Sequence, residues 1–579
     1  MSIFKSAALC ASALLLLLGA QSAAAAAPET PGATFAASTS ASGQLADGVG
    51  VAEYTPVEIS EDGRYVAFQS AAQNLGEAGP PGVVEGFVKD LETGAVELVS
   101  RADGVDGEPA GETGITTLEL SGNGRYALFT SAATNLGTTL PVEEAGEAHV
   151  YRRDLETGET TLVDRVSGAA GQILARGAEG DAISANGAVV AFTDRVANLE
   201  DPAGDHSETS ETVGYVRNLE TGVTTAVSRA SGAAGELADR AAEGLSLSPD
   251  GRYASFVSYA TDLGVTGERY EAYLRDTATD ITTLLSQNAL GEPADLATYG
   301  GGLSGGAGCY GSLASTATNL LAPQRPGIEG GQGQTYIFNR CAPVGTIALT
   351  SVQEGGELFV VSNAGYEAPT VTADGNEAVF AASTNGSCGC RLYLRDLAAG
   401  TTTPVDRASG ETGALANGEV QYFGIAANGC RVAFATRATN LVAEAAPDPG
   451  EEPTELYVRQ LAPCRNEEPK SPPAGGSPAA PIAAGVQHGT KVSLGHLGRK
   501  ALWLVFDGPG HARVRVQAQV AGRHHGWHQV KALIAKAAAA GPVKVTLPRL
   551  ASGRYRLKIR LQGDPDNPTL TRQLKVRGG

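Results

Sequence analysis

The sequence predicts an all-β chain, a seven-bladed β-propeller followed by a small β-sandwich domain. Three observations predict it. A turn-then-strand unit returns seven times at intervals of about 60 residues, the last copy lacks an outer strand that a segment near the start can supply, and a basic tail with alternating hydrophobicity follows a Pro-rich linker. At 579 residues the chain exceeds what one ordinary core organises, which favours a repetitive architecture or several domains. With 75 Gly, one Met and two Trp, the composition is that of a turn-rich β protein.

Residues 1–27 read as a secretory signal: Lys5, an apolar run over 7–18, then small residues at 25–27. The run is too short to hold a mature chain in a bilayer and no second one follows, so no integral membrane segment is expected. The expected location is secreted, either extracellular or in the periplasm and cell envelope.

The propeller is expected over residues 33–464. Its unit reads Ser60-Glu61-Asp62-Gly63-Arg64-Tyr65-Val66-Ala67-Phe68, with copies ending at Phe129, Phe192, Phe256, Leu313, Phe380 and Phe434. A strand with an aromatic start follows in each copy, as in Tyr215-Val216-Arg217-Asn218-Leu219, then a turn such as Glu156-Thr157-Gly158, then a Thr- and Val-rich strand. Each unit therefore holds four β-branched or aromatic strands separated by Gly turns. Four antiparallel strands repeated around a channel form a propeller, which protects its strand edges. The seventh copy ends at Cys464 without an outer strand, and Thr34-Phe35-Ala36-Ala37-Ser38 resembles the outer strands of other copies. An N-terminal strand that completes the last blade would close the ring.

After removal of the signal, six cysteines remain, and export permits disulfides. Cys309 and Cys430 precede the anchors of their strands, while Cys341 and Cys464 follow the aromatic strands of the same blades. Antiparallel pairing brings those ends together, so Cys309 with Cys341 and Cys430 with Cys464 are expected pairs. Cys388 and Cys390 are left as a tight bridge or two thiols.

The Asp-Gly-Arg-Tyr turn before Val-Ala-Phe (residues 62–68), its copy at 250–256 and the later Val216-Arg217-Asn218-Leu219-Glu220-Thr221-Gly222 resemble the WD40-like (PD40-type) repeat of TolB-like propellers. The resemblance spans roughly residues 33–464 and implies the fold. The smaller domain that precedes the propeller in TolB itself has no counterpart here.

Residues 465–482 have the composition of an extended Pro/Gly-rich linker. A separate domain is expected over 483–579, where the turn Leu550-Ala551-Ser552-Gly553-Arg554-Tyr555 before a strand resembles immunoglobulin-like or fibronectin-type modules. Charge divides the chain: 17 Lys plus Arg face 3 Asp from residue 483 onward, against 26 and 60 acidic residues before it. That asymmetry points to a basic adhesion or docking module, or to docking of the tail on the acidic propeller within one molecule. Export argues against nucleic acid as the partner.

The loops between second and third strands vary in length and several are acidic. Glu143, Glu144, Glu200, Asp201, Asp205, Glu208, Glu451 and Glu452 are therefore the candidate binding rim, since variable loops on one face of a scaffold carry recognition. The match to GxSxG at residues 302–306 falls where other copies place a turn before a strand, so no nucleophile is assigned there. No catalytic residue, cofactor or metal is assigned. The reading reached is a secreted, monomeric, non-enzymatic binding scaffold whose acidic loops meet a protein or cell-envelope polymer. The alternative is a propeller enzyme, lyase or hydrolase, that acts on cell-surface polymer with carboxylates around the channel.

Overall fold

The computed structural model describes most of residues 28–464 and, as backbone, the strands of the tail between Lys491 and Val576; the longest stretches outside the description are 1–27, 137–145, 362–367, 384–389, 444–453, 465–490, 547–552 and 562–569. The expected signal segment thus lies outside the described residues, as do Cys388 and with it the question of a bridge to Cys390. The described residues contain no helix, so none there is long and apolar enough to cross a membrane.

Seven four-stranded antiparallel sheets make the propeller. Blade 1, from the axis outward, holds Glu58–Ile59, Tyr65–Ser70, Glu85–Asp90 and Val96–Leu98. Blades 2 to 6 repeat this order, with innermost strands Thr117–Leu120, Glu179–Ile183, Glu243–Leu247, Thr298–Leu303 and Thr370–Val371. Blade 7 supplies Val420–Ile425, Arg431–Thr436 and Glu455–Gln460 itself, and its outer strand is Thr34–Ala36, paired antiparallel from Thr34 opposite Arg459 to Ala36 opposite Tyr457. The ring is therefore latched by the start of the propeller against its end.

The repeated aromatics explain why each copy folds alike. Phe68 stacks on Phe87, Phe129 on Tyr151, Phe192 on Tyr215, Phe256 on Tyr273 and Phe434 on Tyr457, with centroids 5.4–6.0 Å apart. These rings sit opposite one another on the second and third strands, Phe380 and Tyr393 do the same in blade 6, and in blade 5 Leu313 faces Tyr336. The turn glycines fix blade spacing. Gly124 has φ +70°, and a Cβ on it would lie 2.2 Å from the Tyr65 ring of the preceding blade.

Buried cations tie neighbouring blades. Arg153 of blade 2 donates to the Ala102 and Gly104 carbonyls of blade 1 at 3.1 Å each, and Arg217 of blade 3 donates to Gly168 at 2.8 Å. Arg275 of blade 4 and Arg459 of blade 7 bind the equivalent carbonyls of the segment before their own blade, Ala230 and Gly232, and Ala408 and Gly410. In blade 1 the position holds Lys89, whose Nζ reaches Thr39 O at 2.8 Å, just beyond the latch strand. Two disulfides, Cys309–Cys341 and Cys430–Cys464, join the second and third strands of blades 5 and 7 near their turns.

The tail, a separate unit from Glu468 to Gly579, forms a three-stranded sheet of Lys491–Leu497, Ala501–Asp507 and Gly541–Thr546, and a four-stranded sheet of Trp527–Ala537, Ala512–Ala521, Gly553–Leu561 and Leu570–Val576. The immunoglobulin-like or fibronectin-type assignment of this module is not confirmed.

Candidate functional site: the axial channel

Strand direction gives the propeller two unlike faces. The turns that join innermost to second strands, and third to outer strands, lie on one face; the long loops joining second to third strands lie on the other. We call these the turn face and the loop face.

The turn face is closed at the axis. Neighbouring turns join through Glu61 N to Gly122 O (2.8 Å), Asn123 N to Ala185 O (3.0 Å), Ala185 N to Pro249 O (3.0 Å), Ala373 N to Ala427 O (2.8 Å) and Asn428 N to Glu61 O (3.2 Å). At the position of Glu61 the other six turns carry Gly122, Ala185, Pro249, Gly305, Ala373 and Ala427. The single long side chain fills the space that the small ones leave. Glu61 reaches across the axis to accept the Gly306 N–H of blade 5 at 3.1 Å. A Cβ on Gly122 would lie 2.8 Å from the Glu61 carboxyl carbon, and one on Gly305 would lie 2.5 Å from the Ala427 Cβ. Burial raises the Glu61 pKa while the Gly306 hydrogen bond opposes it. Glu61→Ala should therefore lower the unfolding free energy by about 1 kcal/mol in urea melts, whereas Glu61→Gln, which keeps the acceptor, should not. Equal losses in both would show that the spanning hydrogen bond is not what matters.

Above this floor lies a cavity of about 190 Å³ lined by Glu58, Gly302, Ser304, Ser312, Thr370 and Gly424, among others. Its lining comes from blades 1, 5, 6 and 7. Pairing aligns Glu58 (opposite Ala67), Glu119 (opposite Leu128), Ser246 (opposite Ser255), Thr370 (opposite Val379) and Gly424 (opposite Ala433) at one level of the channel. In blade 3 the residue paired at that level is Ala182, opposite Ala191, and Asp181 is the unpaired residue of the bulge directly before it. Blades 1 to 3 thus contribute carboxylates, and the rest of the ring contributes small or hydroxyl residues.

The three carboxylates influence one another. Each residue is half-buried, and loss of bulk water is the main effect on all three. That burial raises Glu58 to about 7. Burial, with the charges of Glu58 and Asp181, raises Glu119 well above the usual carboxylate range. Burial and then the charge of Glu179 raise Asp181 to about 8. Asp181 Oδ1 accepts the Leu245 N–H at 3.3 Å, while its Oδ2 is buried without a hydrogen-bond partner. Carboxyl groups so placed hold protons near neutral pH and can both give and take them.

None of these three was among the rim candidates. Their signal was present in the sequence: Glu58 and Glu119 each stand two residues before the turn serine, Ser60 and Ser121, at a position that faces the axis. Of the rim candidates, Glu143, Glu144, Asp205, Glu451 and Glu452 lie outside the described residues, and Glu208 is described only as the start of the strand Glu208–Asn218. Glu200 grips the Arg229 guanidinium with both oxygens at 2.7 and 2.8 Å and accepts the Ala226 N–H. Asp201 accepts the Ala203 N–H at 3.0 Å, and its carbonyl meets His206 Nε2 at 3.0 Å. Both serve their own loop and its neighbour strand. Ser304 lies in the blade 5 turn, buried, with its Oγ 3.5 Å from Gly305 O. Among the described residues no group of three or more His, Cys, Asp and Glu side chains is placed to hold a metal ion.

The chain is an all-β protein whose body is a seven-bladed propeller. No protein-family model matches it, and no curated protein matches it in sequence. Solved structures similar to it include TolB from Acinetobacter baumannii (12% identity, 73% of this chain and 88% of that one, TM-score 0.32). An oligogalacturonate lyase in complex with manganese is similar at 12% identity over 70% of this chain and 88% of that one, TM-score 0.39. A post-proline cleaving enzyme from Rickettsia typhi is similar at 9% identity over 88% of this chain, which spans 57% of that one, TM-score 0.39. With enzymes among these structures, the fold does not single out a non-enzymatic role. The expectations of a non-enzymatic scaffold and of a chain that is not an enzyme are therefore withdrawn. They rested on the lack of a recognisable catalytic motif, and propeller sites assemble from single residues of different blades, which no local motif reveals.

Proposed function

We propose that this chain is an exported propeller enzyme, a hydrolase or lyase of cell-surface polymer, with Glu58, Glu119 and Asp181 as its acid–base groups. The observation that carries the reading is their placement: three carboxylates on the innermost strands of three adjacent blades, with the charges of Glu58 and Asp181 acting on Glu119 and burial raising all three. Ionising all three would set like charges side by side with little water between them, so the set titrates in steps, part protonated and part ionised. A protonated member donates to a leaving oxygen, and an ionised neighbour activates water or withdraws a proton; hydrolysis and elimination both need such a pair. The glycines, Ser312 and Thr370 across the cavity leave room for a substrate and offer hydroxyl partners. The Glu61 floor restricts entry to the loop face. The two disulfides support an oxidising compartment, extracellular or periplasmic.

The test is turnover of envelope polysaccharides by the full chain. New reducing ends report hydrolysis, and ultraviolet absorbance of an unsaturated product reports elimination. Glu119→Gln and Asp181→Asn should each lose about 100-fold or more in kcat. Because an amide replaces a carboxyl that is mostly protonated, both variants should melt no lower than the parent. Undiminished activity in the two variants would remove these residues from the chemistry.

A further inference from the structure

Beside the channel mouth on the loop face, three tyrosines form a continuous row. Tyr259 meets Tyr270 edge to face at 5.2 Å between centroids, and Tyr270 meets Tyr299 at 5.2 Å with the planes tilted by 38°. Tyr259 directly follows the second strand of blade 4, Tyr270 directly precedes its third strand, and Tyr299 lies on the innermost strand of blade 5. All three rings are half-buried. The repeated blade plan does not require the first two. Ala71 and Ala132 stand at the Tyr259 position in blades 1 and 2, and Val84 and Ala148 stand at the Tyr270 position. This differs from Tyr65, Tyr126 and Tyr253, which recur at one position and carry an arginine over each ring.

We infer that this row is a carbohydrate subsite for a neutral glycan, which would name the substrate class of the channel and restrict its chemistry to hydrolysis, since a neutral sugar has no carboxyl group to acidify the proton lost in elimination. Partly exposed tyrosines offer flat apolar faces with polar edges, which suits a sugar ring with an apolar face and a belt of hydroxyls. The border supplies both hydrogen-bonding senses. Tyr270 Oη donates to Glu243 Oε1 at 3.3 Å, and Arg240 lies 5.9 Å from the Tyr259 centroid with its NH1 on Asp239 O at 2.7 Å. Sugar hydroxyls both donate and accept, so carboxylate and guanidinium can each be used.

Other occupants fit less well. An organic cation would meet the Arg240 charge at the same ring. An anionic polymer would approach a region with 60 acidic against 26 basic residues before residue 483. An extended peptide would need an unpaired backbone edge, and the nearby edge is already used: Thr298 N donates to Tyr270 O at 2.8 Å and Thr316 N to Ala297 O at 3.0 Å.

The inference rests on the channel reading for the fate of the polymer but not for its binding, so the two fail separately. Full-length protein is run through native gels containing a soluble glucan, mannan or galactan; neutral polymers keep the charge of the tail out of the measurement. At least one should retard the parent chain. The Tyr259→Ala/Tyr270→Ala double variant should lose about 10-fold or more in apparent affinity, the paired Phe variants should keep most of it, and Glu119→Gln should bind like the parent. If the double variant does not fold, Tyr259→Ser alone is read in its place, with a loss of roughly 3-fold. No retardation by any of the three polymers, or equal retardation of parent and folded variants, overturns the subsite. Retardation that follows the tyrosines without any polymer cleavage leaves the subsite standing and removes the channel chemistry.

Discussion

Raising the pH from about 5 to about 8 is expected to lower the unfolding free energy of the propeller by several kcal/mol. The cause is a buried carboxyl repeated at one blade position, where the third strand begins. Glu85 accepts the Ser100 hydroxyl at 2.5 Å, Glu271 accepts that of Ser286 at 2.5 Å, and Glu455 accepts that of Ser38. Their relative exposures are 1%, 1% and 6%, and burial raises all three to about 7, the serine hydrogen bonds opposing it only in part. Glu58 and Asp406 are likewise raised to about 7 and Asp181 to about 8, each chiefly by burial.

A folded pKa above the unfolded one means that the stabilisation is complete below the unfolded value, near 4.5 for Glu, and is lost as pH rises through about 7. One fully counted Glu of this kind is worth on the order of 3 kcal/mol, and water entry or local relaxation reduces that. Lys89, lowered to about 8 by burial, imposes a penalty that is constant over most of this window and starts to ease only at its upper end, against the carboxyl trend. Blade 5 supplies an internal comparison: Gln334 occupies the same position and accepts the Ser351 hydroxyl at 2.7 Å, so the site takes a neutral group without strain. Blade 2 instead buries the pair His149–Asp164, and blade 6 pairs a half-buried Arg391 with a buried Asp406. Urea melts at a series of pH values check the slope, and Glu85→Gln should flatten it. Stability that holds level or rises across the window would mean that these carboxyls ionise freely in the folded ring.

The blade plan was legible because it is local and repeated. Phe68 and its six counterparts mark second strands, the aromatic starts mark third strands, and the Asp-Gly turns give the register between them. The count also leaves one outer strand short, which is the place that Thr34–Ala36 fills. The channel was not legible in the same way. Glu58, Glu119 and Asp181 are separated by about 60 residues each, and one of them is the unpaired residue of a bulge between Gly180 and Ala182, which no sequence spacing reveals. Glu61 was hidden inside the repeat itself, because its role comes from differing in size from the six residues that share its position. Glu200 shows the opposite error. An acidic loop residue suggests a ligand, but its charge is spent on Arg229.

Deleting residues 28–40 should destabilise the propeller by on the order of 5 kcal/mol or more, a fall in Tm of roughly 5 °C or more for a ring of this size. The strand pairing with Glu455–Gln460 is the smaller part of that loss. Removal of Ser38 leaves Glu455 buried without its hydroxyl donor and frees the Leu456 N–H, which donates to Ser38 Oγ at 2.9 Å. Removal of Thr34 takes from Arg459 an acceptor at 2.9 Å. Removal of Thr39 and Ser40 takes every acceptor from Lys89, whose Nζ is held by Thr39 O, Thr39 Oγ1 and Ser40 O and which ties blade 1 to the latch. A buried ammonium without acceptors costs more than the hydrogen bonds it loses, because it is left neither solvated nor paired. Lys89→Met in the deleted chain should therefore recover part of the lost stability, since it removes the charge and keeps the apolar stem. Calorimetry of the parent, the deletion and the double change separates the terms. If the deletion melts with the parent, blade-on-blade packing alone closes the ring and the latch strand contributes nothing to its stability.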